Sequence, residues 1–312
     1  MKKIILTLAA VILSAGLISA QDMAKATETA QTANEALVAK DYAKALEGFK
    51  EALTLAQACG EEGEELVGTC KSVIPSIVLT LAKNAIKDAK YDEGIAQLDE
   101  AIKVAEEYEN DDVIGEAATL IPQVKKQKAL ALYNDKDYAA AAEAYKDILS
   151  ADPEDGASAL RLALALTNLD DKDGAIAAFK QAAEHGQAAN ANRQLANIYL
   201  KDAQQLLKDK KYKEAMAACE ESNTFSESAN AYKLLASAAA QLKDNSKAIS
   251  SYEKYLELSP NASDAAGINT TIAVLYQQAG NKAKALENYK KVTGDASLGA
   301  QAKQQITALG GK

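Results

Sequence analysis

The side chains that could do chemistry in this sequence are few and scattered. His185 is the only histidine, and a metal centre or a nucleophile–base pair needs further groups beside it that the sequence does not mark. It precedes Gly186, where a glycine can end a helix and an imidazole can serve the negative end of the helix dipole. Cys59, Cys70 and Cys219 are the only cysteines, without the paired spacing of a zinc site. Cys59 and Cys70 could form one disulfide if the chain turns back at residues 60–63; the alternative is buried apolar thiols. Acid pairs at Glu61-Glu62, Glu106-Glu107 and Asp111-Asp112 carry the group that glycoside hydrolysis uses, but no pair is singled out, and a solvated surface accounts for them. There is no glycine-rich phosphate loop and no nucleophile elbow. The expectation is a protein without catalytic residues, cofactor or metal.

Composition narrows the partners. Met1, Lys2 and Lys3 precede an uncharged apolar run from Ile4 to Leu17, followed by Ile18, Ser19 and Ala20. That order is the pattern of a secretory signal peptide, residues 1–20, cut at Ala20-Gln21, so the mature chain is expected to be periplasmic or secreted and not held in a membrane. The whole chain carries 35 basic and 44 acidic side chains, a formal net charge of −9, and removal of Lys2 and Lys3 deepens the excess. Arg161 and Arg193 are the only arginines. An acidic, arginine-poor chain is a poor match for nucleic acid.

What the sequence does contain is a repeat. The stretch KDYAKALEGFKEAL at residue 40 returns as KDYAAAAEAYKDIL at residue 136, and the same window begins again at 89, 170, 210, 243 and 280. Its sixth place is always small (Ala45, Gly94, Ala141, Ala175, Ala215, Ala248, Ala285). Four residues on stands a bulkier group: Phe49, Leu98, Tyr145, Phe179, Cys219, Tyr252 or Tyr289. With further apolar places one and eight or so residues along, this is one stripe of an α-helix. Twelve residues before each small position there is an alanine without exception: Ala33, Ala82, Ala129, Ala163, Ala203, Ala236 and Ala273. Two small residues at fixed spacing on successive helices let the pair approach closely. Polar turn segments separate the two helices, and Pro153 and Pro260 close two of the units. The fold expected is all-α: a solenoid of seven helical hairpins, with residues 296–308 as a capping helix over the last apolar face. Tyr42, Tyr91, Tyr138 and Tyr212, at the third place of the window, read as wedges at the hairpin turns and not as a binding array.

Two spacings are long. The segments ELVGTCKSVIPSIV (65–78) and DVIGEAATLIPQVK (112–125) align at a shift of 47. Pro75 and Pro122 are placed by this alignment at the start of the next first helix, where a missing N–H is harmless. The added segment either kinks into that helix or stands as a short third one. The expected organisation is 21–155 with two lengthened units, then 156–312 with regular repeats and the cap.

The pattern resembles the tetratricopeptide repeat (TPR), a helix pair of about 34 residues with small, aromatic, small and closing proline places. Residues 229–262 match best, through Tyr232, Leu235, Ala236, Ala248, Tyr252 and Pro260. The resemblance implies a concave groove lined by the first helices, at places three before, one after and five after the recurring alanine. Carried onto this sequence it implies partner-binding residues Lys83, Lys87, Lys126, Asn134, Asn168, Gln204, Lys208, Lys233, Gln241 and Gln278, together with apolar groove places such as Ala30, Leu79, Leu160, Leu164, Leu200 and Val274. Lysines, amides and no acids at these places imply a neutral-to-basic groove for a peptide or protein partner, an acidic one in particular. The family's chaperone-tail clamp is not reproduced, because Ala30 stands where a clamp lysine would be. An exported interaction scaffold is therefore the expected function, and an exported small-solute or glycan-binding protein of the cell envelope the alternative.

Overall fold

The computed structural model describes residues 17–311; the greater part of the expected signal peptide lies outside them. Among the described residues there are fifteen α-helices and no strand: α1 (Leu17–Val38), α2 (Tyr42–Ala58), α3 (Glu64–Lys87), α4 (Tyr91–Glu107), α5 (Asp111–Asn134), α6 (Tyr138–Ala151), α7 (Gly156–Asn168), α8 (Lys172–Ala182), α9 (Ala188–Lys208), α10 (Tyr212–Phe225), α11 (Ala229–Gln241), α12 (Asn245–Leu258), α13 (Ala265–Gln278), α14 (Lys282–Val292) and α15 (Gly299–Ala308). They pack as seven consecutive hairpins, α1 with α2 through α13 with α14, and α15 packs on α14. The chain divides between Pro153 and Glu154 into two compact units, each an all-α solenoid segment. The first holds three hairpins; the second holds four and the cap.

The recurring small residues explain how each hairpin closes. Ala33, Ala82, Ala129, Ala163, Ala203, Ala236 and Ala273 are no more than 2% exposed, and so are Ala45, Ala141, Ala175, Ala215, Ala248 and Ala285. A larger side chain at either place would push the helices apart. The bulky place four residues on is buried in every hairpin, by Phe49, Leu98, Tyr145, Phe179, Cys219, Tyr252 and Tyr289. Tyr42 packs against the core of the first hairpins and Tyr91 against that of the next, while the Tyr138 ring meets Tyr133 edge-on at 5.3 Å. These tyrosines wedge the turns.

All seven hairpin turns are built alike. Lys40, Ala89, Lys136, Asp170, Lys210, Lys243 and Gly280 adopt the left-handed conformation, with φ from 57 to 75°, and each is the first place of the repeated window. In the first turn the Lys40 N–H donates to Leu37 O and the Asp41 N–H to Ala36 O, the two bonds that close a helix C-terminus around a left-handed residue. The same pair of bonds recurs in the other six. The residue that ends this motif also starts the next helix: Asp41, Asp137, Asp171, Asp244 and Asn281 accept from the backbone N–H three residues on. Lys90 and Lys211 hold the same place and give no such bond. Lys211→Asp is therefore expected to stabilise the second unit by about 1 kcal/mol, by satisfying the Glu214 N–H and removing a cation from the helix N-terminus. Thermal unfolding checks this, and an unchanged or lowered midpoint would refute it.

The lengthened units settle differently from the proline expectation. α3 and α5 are each a single helix of 24 residues with Pro75 and Pro122 in the interior. The added segment is thus the first half of the first helix: it runs into that helix, as one of the two alternatives has it, and is not a short third helix. Packing overrides the missing N–H: Cys70, Ile74, Pro75 and Ile77 are all buried in α3, more than enough apolar area to hold the helix together across it. α3 is the one helix among the described residues long and apolar enough to cross a membrane, but those apolar residues serve the core between α2 and α4.

The three cysteines are unbridged. Cys70 and Cys219 are fully buried, and Cys59 is half-buried with its thiol donating to Leu55 O at 3.3 Å. Burial pushes the Cys70 thiol up to about 11 and the Cys219 thiol up to about 12. Only a thiolate attacks a disulfide reagent. A chromogenic thiol titration of the native protein is expected to register Cys59 alone, with the other two appearing in denaturant; two or three fast thiols without denaturant would contradict the buried positions.

Candidate partner-binding face of the first helices

The groove places divide between the two units and differ in character. In the first unit Lys83, Lys87, Lys126 and Asn134 are exposed, but the places next to them are already filled. Ala30 and Leu79 are buried. Ala30 lies in one core cluster with Leu66 and Cys70 from the first half of α3; Leu79 lies in another with Val113 and Ala117 from the first half of α5. The added half of α5 thus lies on α3, while the added half of α3 joins the core that α1 and α2 build. Two polar contacts fix that overlap: Asn110 Nδ2 donates to Ser72 O at 3.4 Å, and Lys83 Nζ meets Glu116 Oε1 at 2.5 Å. Glu116 is not itself a groove place; it comes from a segment whose placement the repeat pattern did not show, and it sets a carboxylate against Lys83.

The second unit keeps its face open. Leu160, Leu164 and Leu200 are half-buried, Val274 is exposed, and Asn168, Gln204, Lys208, Gln241 and Gln278 are exposed around them. Some amides are engaged: Asn168 Nδ2 donates to Leu164 O at 2.8 Å, and Gln278 accepts from Asn245 at 3.5 Å. Gln204, Lys208 and Gln241 make no side-chain bond among the described residues. Lys233 on α11 is half-buried; its ammonium meets Asp264 Oδ2 at 2.6 Å, and the Tyr255 hydroxyl donates to Asp264 Oδ1 at 2.6 Å. Lys233 also lies 5.4 Å from the Tyr255 ring centre. The Asp264 carboxyl is held below the usual range, first by the Lys233 bond and then by Tyr255, and Lys233 is raised in return by Asp264. Asp264 was invisible as a site residue because its position, just before α13, reads as an ordinary helix cap.

Residues 126–193 match one family model described as a tetratricopeptide repeat, and residues 229–262 match a second. These two stretches are tetratricopeptide repeats. Among solved structures, MamA from Desulfovibrio magneticus RS-1 is 18% identical over 59% of this chain and 96% of that one, with a TM-score of 0.32. A thermophilic TPR protein of Thermus thermophilus is 19% identical over 60% and 98%, TM-score 0.27. The TPR2AB domain of yeast Sti1, solved in complex with pHSP90, is 19% identical over 76% and 97%, TM-score 0.33. A search of curated proteins found no significant match.

His185 lies in the π-helical turn Ala183–Gln187, followed by Gly186 at φ 86°, the helix end that its sequence neighbours indicate. The described residues hold no cluster of three or more metal-ligating side chains. In the fifth repeat Tyr199 and Phe225 stack with ring centres 5.8 Å apart, and Lys180 approaches the Phe225 ring at 5.9 Å, which braces the repeat junction.

Proposed function

We propose that this TPR protein is an exported interaction scaffold, and that the partner-binding groove is the first-helix face of the second unit. One observation carries the reading: the apolar groove places three before the recurring alanine are buried in the first unit and half-buried in the second. In the first, groove places Ala30 and Leu79 are buried in core clusters that the added halves of α3 and α5 join. In the second, the corresponding Leu160 and Leu200 keep solvent-facing surface, as do Leu164 and Val274 one place after the recurring alanine, ringed by Asn168, Gln204, Lys208, Gln241 and Gln278. A half-exposed apolar floor edged with amides suits an extended peptide, whose side chains take the floor and whose backbone takes the amides. Export rests on the basic, apolar and small-residue order of residues 1–20.

A photo-crosslinking residue placed at Ser237 or Gln241 in the mature chain is expected to capture a protein from cell-envelope extract. The same residue at Glu51 on α2 or Asp99 on α4 is expected to capture none. Equal capture at all four positions, or capture only at the last two, would move the partner off the groove. The solute or glycan alternative has no comparable support, since the chain has no tryptophan and three phenylalanines for stacking on a sugar ring.

A further inference from the structure

The carboxylate on Lys233 belongs to the protein itself, and its geometry is unusual for its position. Asp264 stands at the N-terminus of α13 but makes no capping bond. Asp41, Asn110, Asp137, Asp155, Asp171, Asp244 and Asn281 hold the equivalent place on other helices, and every one accepts from its own helix. Asp264 turns away, giving one oxygen to Lys233 and the other to Tyr255, both at 2.6 Å. The contact is not sealed in the core: the Lys233 side chain is 44% exposed and that of Asp264 36%. A charged pair this open contributes little to stability, so the forgone cap is poorly compensated on structural grounds alone.

We infer that Asp264 is an internal competitor that occupies Lys233 until an acidic segment of a partner exchanges with it. The inference rests on the groove reading above. Lys233 lies on the open face beside Ser237 and one repeat from Lys208, which is exposed and makes no ion pair among the described residues, so an incoming chain of carboxylates meets Lys208 without competition and Lys233 only by displacing Asp264. Intramolecular competition of this kind discriminates: a segment with one weak carboxylate does not displace a tethered one, and a run of several does.

The test measures fluorescence anisotropy of a fluorescein-labelled hexaglutamate peptide with the mature chain, and of hexaglutamine as control. Asp264→Asn is expected to bind hexaglutamate roughly fivefold tighter than the parent, the scale of one exposed ion pair, with no gain for hexaglutamine. Adding Lys233→Gln to that variant removes the gain. Tyr255→Phe, which takes away the second bond while leaving Asp264 on Lys233, reproduces little of it, which separates unmasking from general loosening. Circular dichroism of each variant confirms folding. Unchanged or weaker hexaglutamate binding by Asp264→Asn, or by Asp264→Ala should the first variant misfold, overturns the inference. If that happens while Ser237 still captures a partner, the groove stands and the competitor does not; if Ser237 captures nothing as well, both fall.

Discussion

Alanine at Gly63 or Gly156 is expected to cost about 3 kcal/mol, whereas the same substitution at Gly68 or Gly115 is expected to gain about 0.5–1 kcal/mol. All four glycines lie in or at the edge of helical segments, so composition does not separate them. Surroundings do. A Cβ on Gly63 would sit 1.9 Å from the Ala56 carbonyl oxygen, and one on Gly156 would sit 2.0 Å from that of His185. Both obstacles are backbone, which no side-chain rotation relieves. In the first case the turn Gly60–Gly63 folds back on the end of α2; in the second, the start of α7 lies against the turn that ends α8. Gly68 and Gly115 are exposed on α3 and α5 with nothing within 4 Å of a built Cβ. There a methyl group only removes backbone freedom from the unfolded chain. Urea unfolding of the four variants decides the matter: parent-like stability for Gly63→Ala or Gly156→Ala would refute the close approaches.

Ile306→Asp is expected to release α15 from the second unit without unfolding the hairpins before it. Ile306 is 8% exposed and packs in a cluster with Ala273, Tyr289, Val292 and Ala302. A carboxylate there costs several kcal/mol unless the helix leaves. At ten residues, α15 is too short to persist alone in water, so release means local unfolding, and the apolar face of α14 with Tyr289 and Val292 becomes a surface for self-association. Hydrogen exchange should show protection lost across residues 299–308 and retained in α11 and α12, and sedimentation should show concentration-dependent association. Ile306→Val, by contrast, should cost about 1 kcal/mol and leave the chain monodisperse relative to the parent. Global loss of helical signal in Ile306→Asp would mean that the cap is integral to the unit and does not act as a terminal lid.

Much of the fold was legible because each hairpin must bury the same face in the same way. Ala33 and Ala45 are conspicuous in sequence since every helix pair needs two small residues at that separation, and the first place of the window recurs because every turn needs one residue in the left-handed region. The face against which a segment packs is not periodic in that sense. The first halves of α3 and α5 carry ordinary helical stripes, and nothing in ELVGTCKSVIPSIV states that Leu66 and Cys70 join the core of the preceding hairpin, to which Ala30 belongs. The prolines misled for the same reason: Pro75 looks like a helix start by its own chemistry, and only the buried neighbours Ile74 and Ile77 make it an interior residue. In the candidate site, lysines were visible by register, but their carboxylate partners Glu116 and Asp264 come from later segments and had no signal at sequence level.

The shared turn residue, at once the end of one helix and the cap of the next, has a consequence for where this chain tolerates added length. Seven hairpin turns span three residues each, while the connections between hairpins run from three to six and the first helices from 13 to 24. A turn whose last N–H closes one helix and whose side chain opens the next has no slack, so an inserted residue breaks both ends at once. Growth has gone instead to the opposite end of the hairpin. A reporter peptide or affinity tag spliced into the connection at residues 261–263 should be carried without harm, and the same splice between Lys243 and Asp244 should not.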